Sequence, residues 1–90
     1  LHPAVLSLVR TAVEAADEAG IELSVCGEMA GDPTGAVALA GLGVRALSMT
    51  PTSLAAVRRA LRAASADELR RQALAALGDE DAAQVRRRFA

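Results

Sequence analysis

Apolar positions in the first part of the chain change from helical spacing to strand spacing. Pro3 suits the first turn of a helix, because a proline there gives up no hydrogen bond that the helix needs. The helix is predicted to end at Gly20. Its predicted buried stripe consists of Val5, Val9, Ala12, Ala16 and Ala19. Ile21, Leu23 and Val25 then alternate with polar neighbours, which predicts a short strand over residues 21–25.

The middle of the chain repeats this order. Asp32 before Pro33 marks the start of a second helix, which is expected to end near Leu39. Two glycines make residues 41–43 a turn. The apolar run over residues 44–49 is interpreted as a second strand.

Three more helices are predicted in the second half. Thr50 and Pro51 open the first of them. Its predicted buried positions are Leu54, Val57, Leu61 and Ala64. Ser65 and Glu68 are predicted to form a capping box, in which each side chain accepts from the other residue's backbone N–H. That helix ends at Gly78, and its predicted buried positions are Leu69, Ala73 and Leu77.

The order of elements predicts the α/β fold class. Asp79 is expected to cap a last helix, and the positions that this helix buries are Ala82, Val85 and Phe89. Strands that alternate with helices form parallel sheets, and such sheets need helices on both faces. Two strands are too few, and a complete (β/α)8 barrel typically has about 250 residues. We therefore expect one partial domain from the C-terminal end of such a barrel, with the last two βα units in residues 1–64 and two tail helices in residues 65–90.

Composition and charge exclude several classes of function. The ten basic residues, all arginine, are balanced by 11 acidic ones, so the basic excess typical of nucleic-acid binding is missing. The arginine run at residues 86–88 complements the dipole of a terminal helix. One cysteine cannot form an internal disulfide, which fits a reducing cytoplasm. No apolar run approaches the roughly 20 residues that span a bilayer, and we expect a cytoplasmic protein.

Cys26 is the candidate for chemistry, because it directly follows the first predicted strand. Reactive groups of (β/α)8 barrels lie where the strands end, at the C-terminal face. A cysteine is also among the residues most often buried as a small hydrophobe. The residues alone leave both interpretations open.

The residues around Cys26 resemble the active-site cysteine segment of Enzyme I, the phosphoenolpyruvate-protein phosphotransferase of the phosphotransferase system. This segment reads Val-Cys-Gly-Glu-Met-Ala-Gly-Asp-Pro over residues 25–33. The similarity continues in order along essentially the whole chain. It includes a barrel helix start at residues 1–6, the final turn and strand at residues 41–50, and the two C-terminal helices at residues 65–77 and 79–89. The resemblance implies a phosphoenolpyruvate/pyruvate-type barrel.

The resemblance also implies a reaction. Enzyme I moves the phosphoryl group of phosphoenolpyruvate (PEP) to its own histidine and then to a histidine-bearing carrier protein, and its cysteine protonates the pyruvate enolate. Cys26 would be this proton donor, and Gly27 and Glu28 would belong to the substrate loop. A cysteine thiol ordinarily has a pKa near 8.5, so it is protonated at neutral pH yet able to release its proton. A homodimer and a Mg²⁺ cofactor are implied as well.

Other polar residues receive simpler interpretations. Glu28 and Asp32 carry the oxygen ligands that Mg²⁺ prefers, but the resemblance places the metal ligands and substrate-clamping arginines on earlier strands, and Asp32 is interpreted as a helix cap. His2 is expected to pack or to hydrogen-bond at a helix start. We therefore expect the ninety residues to be inactive alone. The alternatives are a non-catalytic self-association module and a part of a pyruvate phosphate dikinase or phosphoenolpyruvate synthase.

Overall fold

Helices make up most of residues 1–89, the part of the chain that the computed structural model describes. The elements in chain order are α1 (Pro3–Ala19), β1 (Ser24–Val25), α2 (Glu28–Gly31), α3 (Pro33–Gly41), β2 (Ala46–Leu47), α4 (Pro51–Arg62), α5 (Ala66–Ala76) and α6 (Ala82–Arg88). This order confirms the predicted alternation, with α2 as an additional helical turn that was not predicted. Ala90, the end of the predicted tail, lies outside the described residues.

The two strands pair in parallel, as predicted. Ser24 lies opposite Ala46 and Val25 lies opposite Leu47, and the Ser48 N–H extends the pairing by donating to the Val25 carbonyl oxygen at 2.9 Å. Both strands are shorter than the predicted runs at residues 21–25 and 44–49. A segment becomes a strand only where its backbone groups find a neighbouring chain, and here the register provides two paired positions.

The buried face of α1 differs from the predicted stripe. Leu6 and Val13 are buried together with Ala16, and Val9 is half-buried. The predicted members that are exposed instead are Val5, Ala12 and Ala19. Apolar residues lie on several sides of this helix, so its spacing is compatible with more than one stripe. Contacts with the rest of the fold select the face, since Leu6 packs in a cluster with Leu42.

Two apolar clusters form the core, and the end of α3 with its C-cap contributes to both. The first cluster consists of Leu6, Leu42, Ala73, Ala76 and Val85. The second consists of Val13, Ala30, Leu39 and Val44. The middle and end of α3 are buried on nearly all sides, because α4 and α5 both pack against it. No helix within residues 1–89 combines the length and the apolar character that crossing a membrane requires.

Helix α4 buries less than its spacing predicts. Val57 is buried, Leu61 and Ala64 are half-buried, and Leu54 is 43% exposed, so the prediction for Leu54 is wrong. The helix lies at the edge of the fold and contacts mainly α3. A helix with one neighbouring surface buries a narrow stripe and leaves its flanking apolar residues exposed.

Helix α5 begins at the predicted cap but forms only half of the predicted capping box. The Glu68 N–H donates to Ser65 Oγ at 3.4 Å. The Glu68 carboxylate binds Arg71 and Gln72 on its own helix, so it does not reach back to Ser65. The fully buried positions of α5 are Ala73 and Ala76, whereas the predicted Leu69 and Leu77 are half-buried.

The cap of α6 is Asp81 and not the predicted Asp79. The Gln84 N–H donates to Asp81 Oδ1 at 2.9 Å, which is the bond from the third helical residue to the cap. The Asp79 carboxylate instead accepts two hydrogen bonds from Arg88, from Nε at 3.0 Å and from Nη2 at 2.6 Å. Val85 is buried as predicted. Asp79 therefore ties the end of α6 to the turn that precedes it.

The Asp79–Arg88 pair should make the stability of the chain sensitive to acid. The hydrogen bonds from Arg88 lower the pKa of Asp79 below its ordinary value of 3.8. A lowered pKa in the folded state stabilises the protein above the unfolded pKa, and this contribution is lost as the pH falls through the folded value. We expect Asp79→Asn to lower the free energy of unfolding at pH 7, and the difference from the original chain to shrink below about pH 4.

Urea unfolding at a series of pH values measures this difference. Asp17→Asn, which removes an exposed carboxylate near the end of α1, is the matched control. A deficit of Asp79→Asn that stays constant down to about pH 2 would contradict the stabilising role of the Asp79 carboxylate.

Candidate functional site

A cleft opens where the two parallel strands end. Cys26 follows β1 and Ser48 follows β2, so both residues lie at the carboxyl edge of the sheet. The cleft has a volume of about 630 Å³. Its lining residues are Cys26, Gly27, Glu28, Gly31, Asp32, Ser48, Met49, Thr50 and Ser53. The structure thus brings the three predicted site residues, Cys26, Gly27 and Glu28, together in one cavity, and their roles stay predictions.

Cys26 lies on a sharp backbone turn between β1 and α2. Its side chain is exposed and not part of the core, which removes the interpretation as a buried hydrophobe. Gly27 has φ +93° and ψ −166° and forms the N-cap of α2. Residues with a side chain rarely adopt this backbone conformation, so the turn requires glycine at position 27. The thiol is therefore presented to the cleft by a turn that the sequence specifies.

The single turn of α2 is held between α3 and α4. The Gly31 and Asp32 N–H groups close it by donating to the carbonyls of Gly27 and Glu28, at 3.3 and 3.0 Å. A side chain at Gly35 would collide with the Met29 backbone, so α2 packs directly against the backbone of α3. On the α4 side, a Cβ added at Gly31 would lie 3.2 Å from Ser53 Oγ. These close approaches give the loop after Cys26 a defined place.

Hydroxyl groups of Ser48, Thr50 and Ser53 also line the cleft. Thr50 Oγ1 lies 3.0 Å from Thr52 Oγ1 and 3.3 Å from Ser53 Oγ. Thr50 is also the N-cap of α4 but makes no side-chain capping bond. The first turn of a helix has free N–H groups and a partial positive charge, which favours an anionic neighbour. Sequence reasoning identified the helix start at Thr50 but missed these hydroxyls, because they come to the same cleft as Cys26 only in the folded chain.

Asp32 is fully engaged in the structure. Its Oδ1 accepts from the Thr34 N–H at 3.3 Å, which confirms the predicted cap of α3. Its Oδ2 accepts from Arg86 Nη2 at 2.8 Å. Glu28 is the other carboxylate of the cleft. Across residues 1–89, no cluster of three or more His, Cys, Asp or Glu side chains is placed to hold a metal ion.

His2 serves the start of α1. Its Nδ1 accepts a hydrogen bond from the Ala4 N–H at 3.1 Å, so the imidazole caps the helix from the N-cap position. This confirms the expectation that His2 hydrogen-bonds at a helix start. The ring does not line the cleft that contains Cys26.

Comparison with known proteins gives one consistent set of matches. Residues 1–66 match the family model described as PEP-utilising enzyme, PEP-binding domain. A multiphosphoryl transfer protein of Xanthomonas campestris is 48% identical over 86 residues, which are 96% of this chain and 10% of that protein. A multiphosphoryl transfer protein of Rhodobacter capsulatus is 46% identical with the same coverage. A phosphoenolpyruvate-protein phosphotransferase of Cupriavidus necator is 41% identical over 93 residues, covering 100% of this chain and 16% of that protein.

The chain thus spans about 10 to 16% of the length of these relatives. The matched region of the family model contains Cys26 and every other residue that lines the cleft.

Proposed function

Because the chain belongs to the PEP-utilising enzymes, as part of their PEP-binding domain, we propose that it is the part of a phosphoenolpyruvate-protein phosphotransferase that protonates the pyruvate enolate. The observation that carries this proposal is the exposed Cys26 thiol at the carboxyl end of β1, on the cleft. The whole enzyme would transfer the phosphoryl group of PEP to a histidine and then to a carrier protein. This chain would supply the proton.

The proposed step balances atoms and charge in the following way. Transfer of the phosphoryl group breaks the bond between phosphorus and the enol oxygen, and a nitrogen–phosphorus bond forms on the acceptor histidine. The electron pair stays on the oxygen and gives an enolate. The terminal carbon of the enolate then takes the proton of the Cys26 thiol, which leaves pyruvate and a thiolate. The exposure of Cys26 lets the thiolate regain a proton from water.

The other residues of the cleft support this role. Gly27 permits the turn that brings the thiol to the end of the strand, and Glu28, exposed on the same loop, would orient the loop near the substrate. The hydroxyls of Ser48, Thr50 and Ser53, which line the same cleft, are neutral donors, which suit the oxygen of an enolate or a carboxylate. These donors would stabilise the charge while Cys26 neutralises the carbon.

We place the chain in a phosphoenolpyruvate/pyruvate-type (β/α)8 barrel, with the last two βα units in residues 1–64 and the tail helices in residues 65–90. The parallel pairing of β1 and β2 supports this placement, as does the cleft at their carboxyl ends, the face where barrel enzymes carry their active sites. The sheet has two strands with two paired positions on each strand. A stable parallel sheet is larger and is covered by helices on both faces. Neighbouring strands of the barrel would complete it.

Magnesium would be held by other parts of the enzyme. Both Asp32 carboxylate oxygens accept hydrogen bonds within the chain, which leaves Glu28 as the available carboxylate of the cleft. A Mg²⁺ ion needs near-octahedral oxygen coordination, and the described residues 1–89 do not fit such a site. As part of such a phosphotransferase, the chain would have PEP and pyruvate as ligands and a histidine-bearing phosphocarrier as partner. It would lie in the cytoplasm.

Carrier phosphorylation tests the proposed function. A longer protein that contains this chain, given radiolabelled PEP, magnesium and a histidine-bearing carrier, should label the carrier. The ninety residues alone should label nothing, because phosphoryl transfer depends on charge neutralisation and positioning by groups that we place in other parts of the enzyme. Labelling of the carrier by the ninety residues alone would contradict the proposal that the other catalytic groups lie in other parts of the enzyme. A longer protein that hydrolyses or binds PEP without labelling any histidine would contradict the function.

Self-association is a second candidate, and exposed apolar side chains favour it. Leu8 is 71% exposed and Ile21 is 65% exposed. Exposed apolar side chains that form a patch are typically covered by another protein surface. In this protein, that surface would be the remaining barrel or a second copy in a homodimer. Size-exclusion chromatography over a concentration series separates the two, since elution independent of concentration would argue against the homodimer. The alternative of a dikinase or synthase part rests only on the position of the cysteine.

A further inference from the structure

Two arginines of the run at residues 86–88 have different partners. Arg88 forms the two hydrogen bonds to Asp79 within its own region of the chain. Arg86 instead reaches a residue 54 positions earlier, since its Nη2 donates to Asp32 Oδ2 at 2.8 Å. Asp32 is the last residue of the segment that begins at Cys26. The run is thus not a single basic patch, because one of its members contacts the candidate site.

We propose that Arg86 is a positioning residue for the segment of residues 26–32, here called the donor loop. Helix α6 would hold the far end of this loop through Asp32 and thereby keep the Cys26 thiol oriented at the end of β1. The proposal rests on the proposed role of Cys26 as proton donor. It adds that the last helix takes part in the site without contacting substrate.

The donor loop needs an anchor from outside itself. Its regular part is the four-residue helix α2, and one isolated helical turn is unfavourable because nucleation orders several residues for one hydrogen bond. Cys26, Gly27 and Glu28 are all exposed, so burial contributes little to holding them. The buried Ala30 and the packing of α2 against α3 fix the middle of the loop, and polar contacts at its far end add to them.

Asp32 is where these contacts meet. Its backbone N–H closes α2 by donating to the Glu28 carbonyl at 3.0 Å, and its Oδ1 caps α3 through the Thr34 N–H. The remaining carboxylate oxygen accepts from Arg86. A shift of this carboxylate would therefore change the cap of α3 and the turn that follows Cys26 together.

The helix that carries Arg86 is itself well fixed. Asp81 caps its start, the Asp79–Arg88 pair ties its end to the preceding turn, and Val85, next to Arg86, is fully buried in the core. The Arg86 backbone thus has a defined position relative to α3. The ion pair is half-exposed, with side-chain exposures of 54% for Arg86 and 30% for Asp32. Pairs of this kind change an equilibrium by up to about five-fold.

Thiol labelling of Arg86→Gln tests the proposal. Cys26 is the only cysteine of the ninety residues, so its alkylation rate by iodoacetamide reports on the donor loop alone. We expect Arg86→Gln to raise amide exchange over residues 27–32 about two- to five-fold and to change the alkylation rate, because the exposed thiol is no longer held in one orientation. Arg87→Gln, which removes the same charge from the neighbouring position, is the matched control and should leave both rates unchanged. Arg86→Lys should restore part of the protection.

Two further measurements separate the ion pair from a general loss of structure. In about 1 M salt, where the screening length falls to about 3 Å, the original chain should approach the labelling rate of Arg86→Gln. Asp32→Asn keeps a capping side chain but loses the charge, so adding Arg86→Gln to it should have no further effect. Equal labelling and exchange rates in Arg86→Gln and Arg87→Gln would overturn the proposal.

Turnover distinguishes this proposal from the proposed function. In the longer protein, Arg86→Gln should lower the rate of pyruvate formation about two- to five-fold with the KM for PEP unchanged. Unchanged turnover, in a protein that Cys26→Ala impairs, would overturn the positioning role. If Arg86→Gln loosens the loop while Cys26→Ala leaves turnover intact, the loop contact stands and the function of Cys26 is wrong.

Discussion

Replacing Cys26 by alanine in the longer protein is expected to slow pyruvate formation about 10²- to 10⁴-fold, the range of a positioned general acid. The Cys26 thiol lies at the end of β1, on the cleft. The hydroxyls of Ser48, Thr50 and Ser53 line the same cleft, but alcohols are much weaker acids than thiols and would donate slowly. Alanine therefore removes the proton source and leaves the cleft otherwise intact.

Rate and stereochemistry together measure this effect. With PEP labelled stereospecifically at the terminal carbon, the original enzyme should protonate one face of the enolate, because its donor is fixed. Cys26→Ala should lose this preference, since the enolate then takes its proton from water. Ser24→Ala, on the same strand but outside the cleft, is the matched control. Normal turnover with one-sided protonation in Cys26→Ala would contradict the proton-donor role.

The second large effect is expected at Gly41, where alanine should lower the free energy of unfolding by about 1–3 kcal/mol. A Cβ at this position would collide with the Leu69 carbonyl oxygen and lie 2.7 Å from the Ala73 Cβ. Alanine has the higher helix propensity by up to about 1 kcal/mol, but the collision outweighs this gain. The carbonyl belongs to the backbone of α5 and cannot rotate away, so α3 and α5 would have to separate.

Urea unfolding of Gly41→Ala measures the change in stability. Gly78→Ala is the matched control, because a Cβ there would meet only the Ala75 carbonyl oxygen, at an ordinary 3.7 Å. The control should change the free energy of unfolding by no more than about 0.5 kcal/mol. A Gly41→Ala chain as stable as the original would show that α3 and α5 are not packed this closely.

Local chemistry explains which parts of the fold were predicted well. The starts of α1, α3, α4 and α5 depend on a proline or a capping side chain within a few residues of the helix, and all four were predicted from such signals. The cap of α6 was wrong by two positions. Asp79 and Asp81 are both plausible caps, and only the pairing of Asp79 with Arg88 leaves Asp81 for the helix.

Apart from α2, the order of the elements and the place of Cys26 after a strand could be predicted because caps, prolines, glycines and apolar spacing are local signals. The parallel pairing of the strands was predicted from their alternation with helices. The resemblance around Cys26 also indicated the family. The packed fold was needed to show which face of α1 is buried, how short the strands are, that hydroxyls line the same cleft as Cys26, and that Arg86 binds Asp32. Each of these depends on residues far apart in the chain, whose contacts form only when the helices pack.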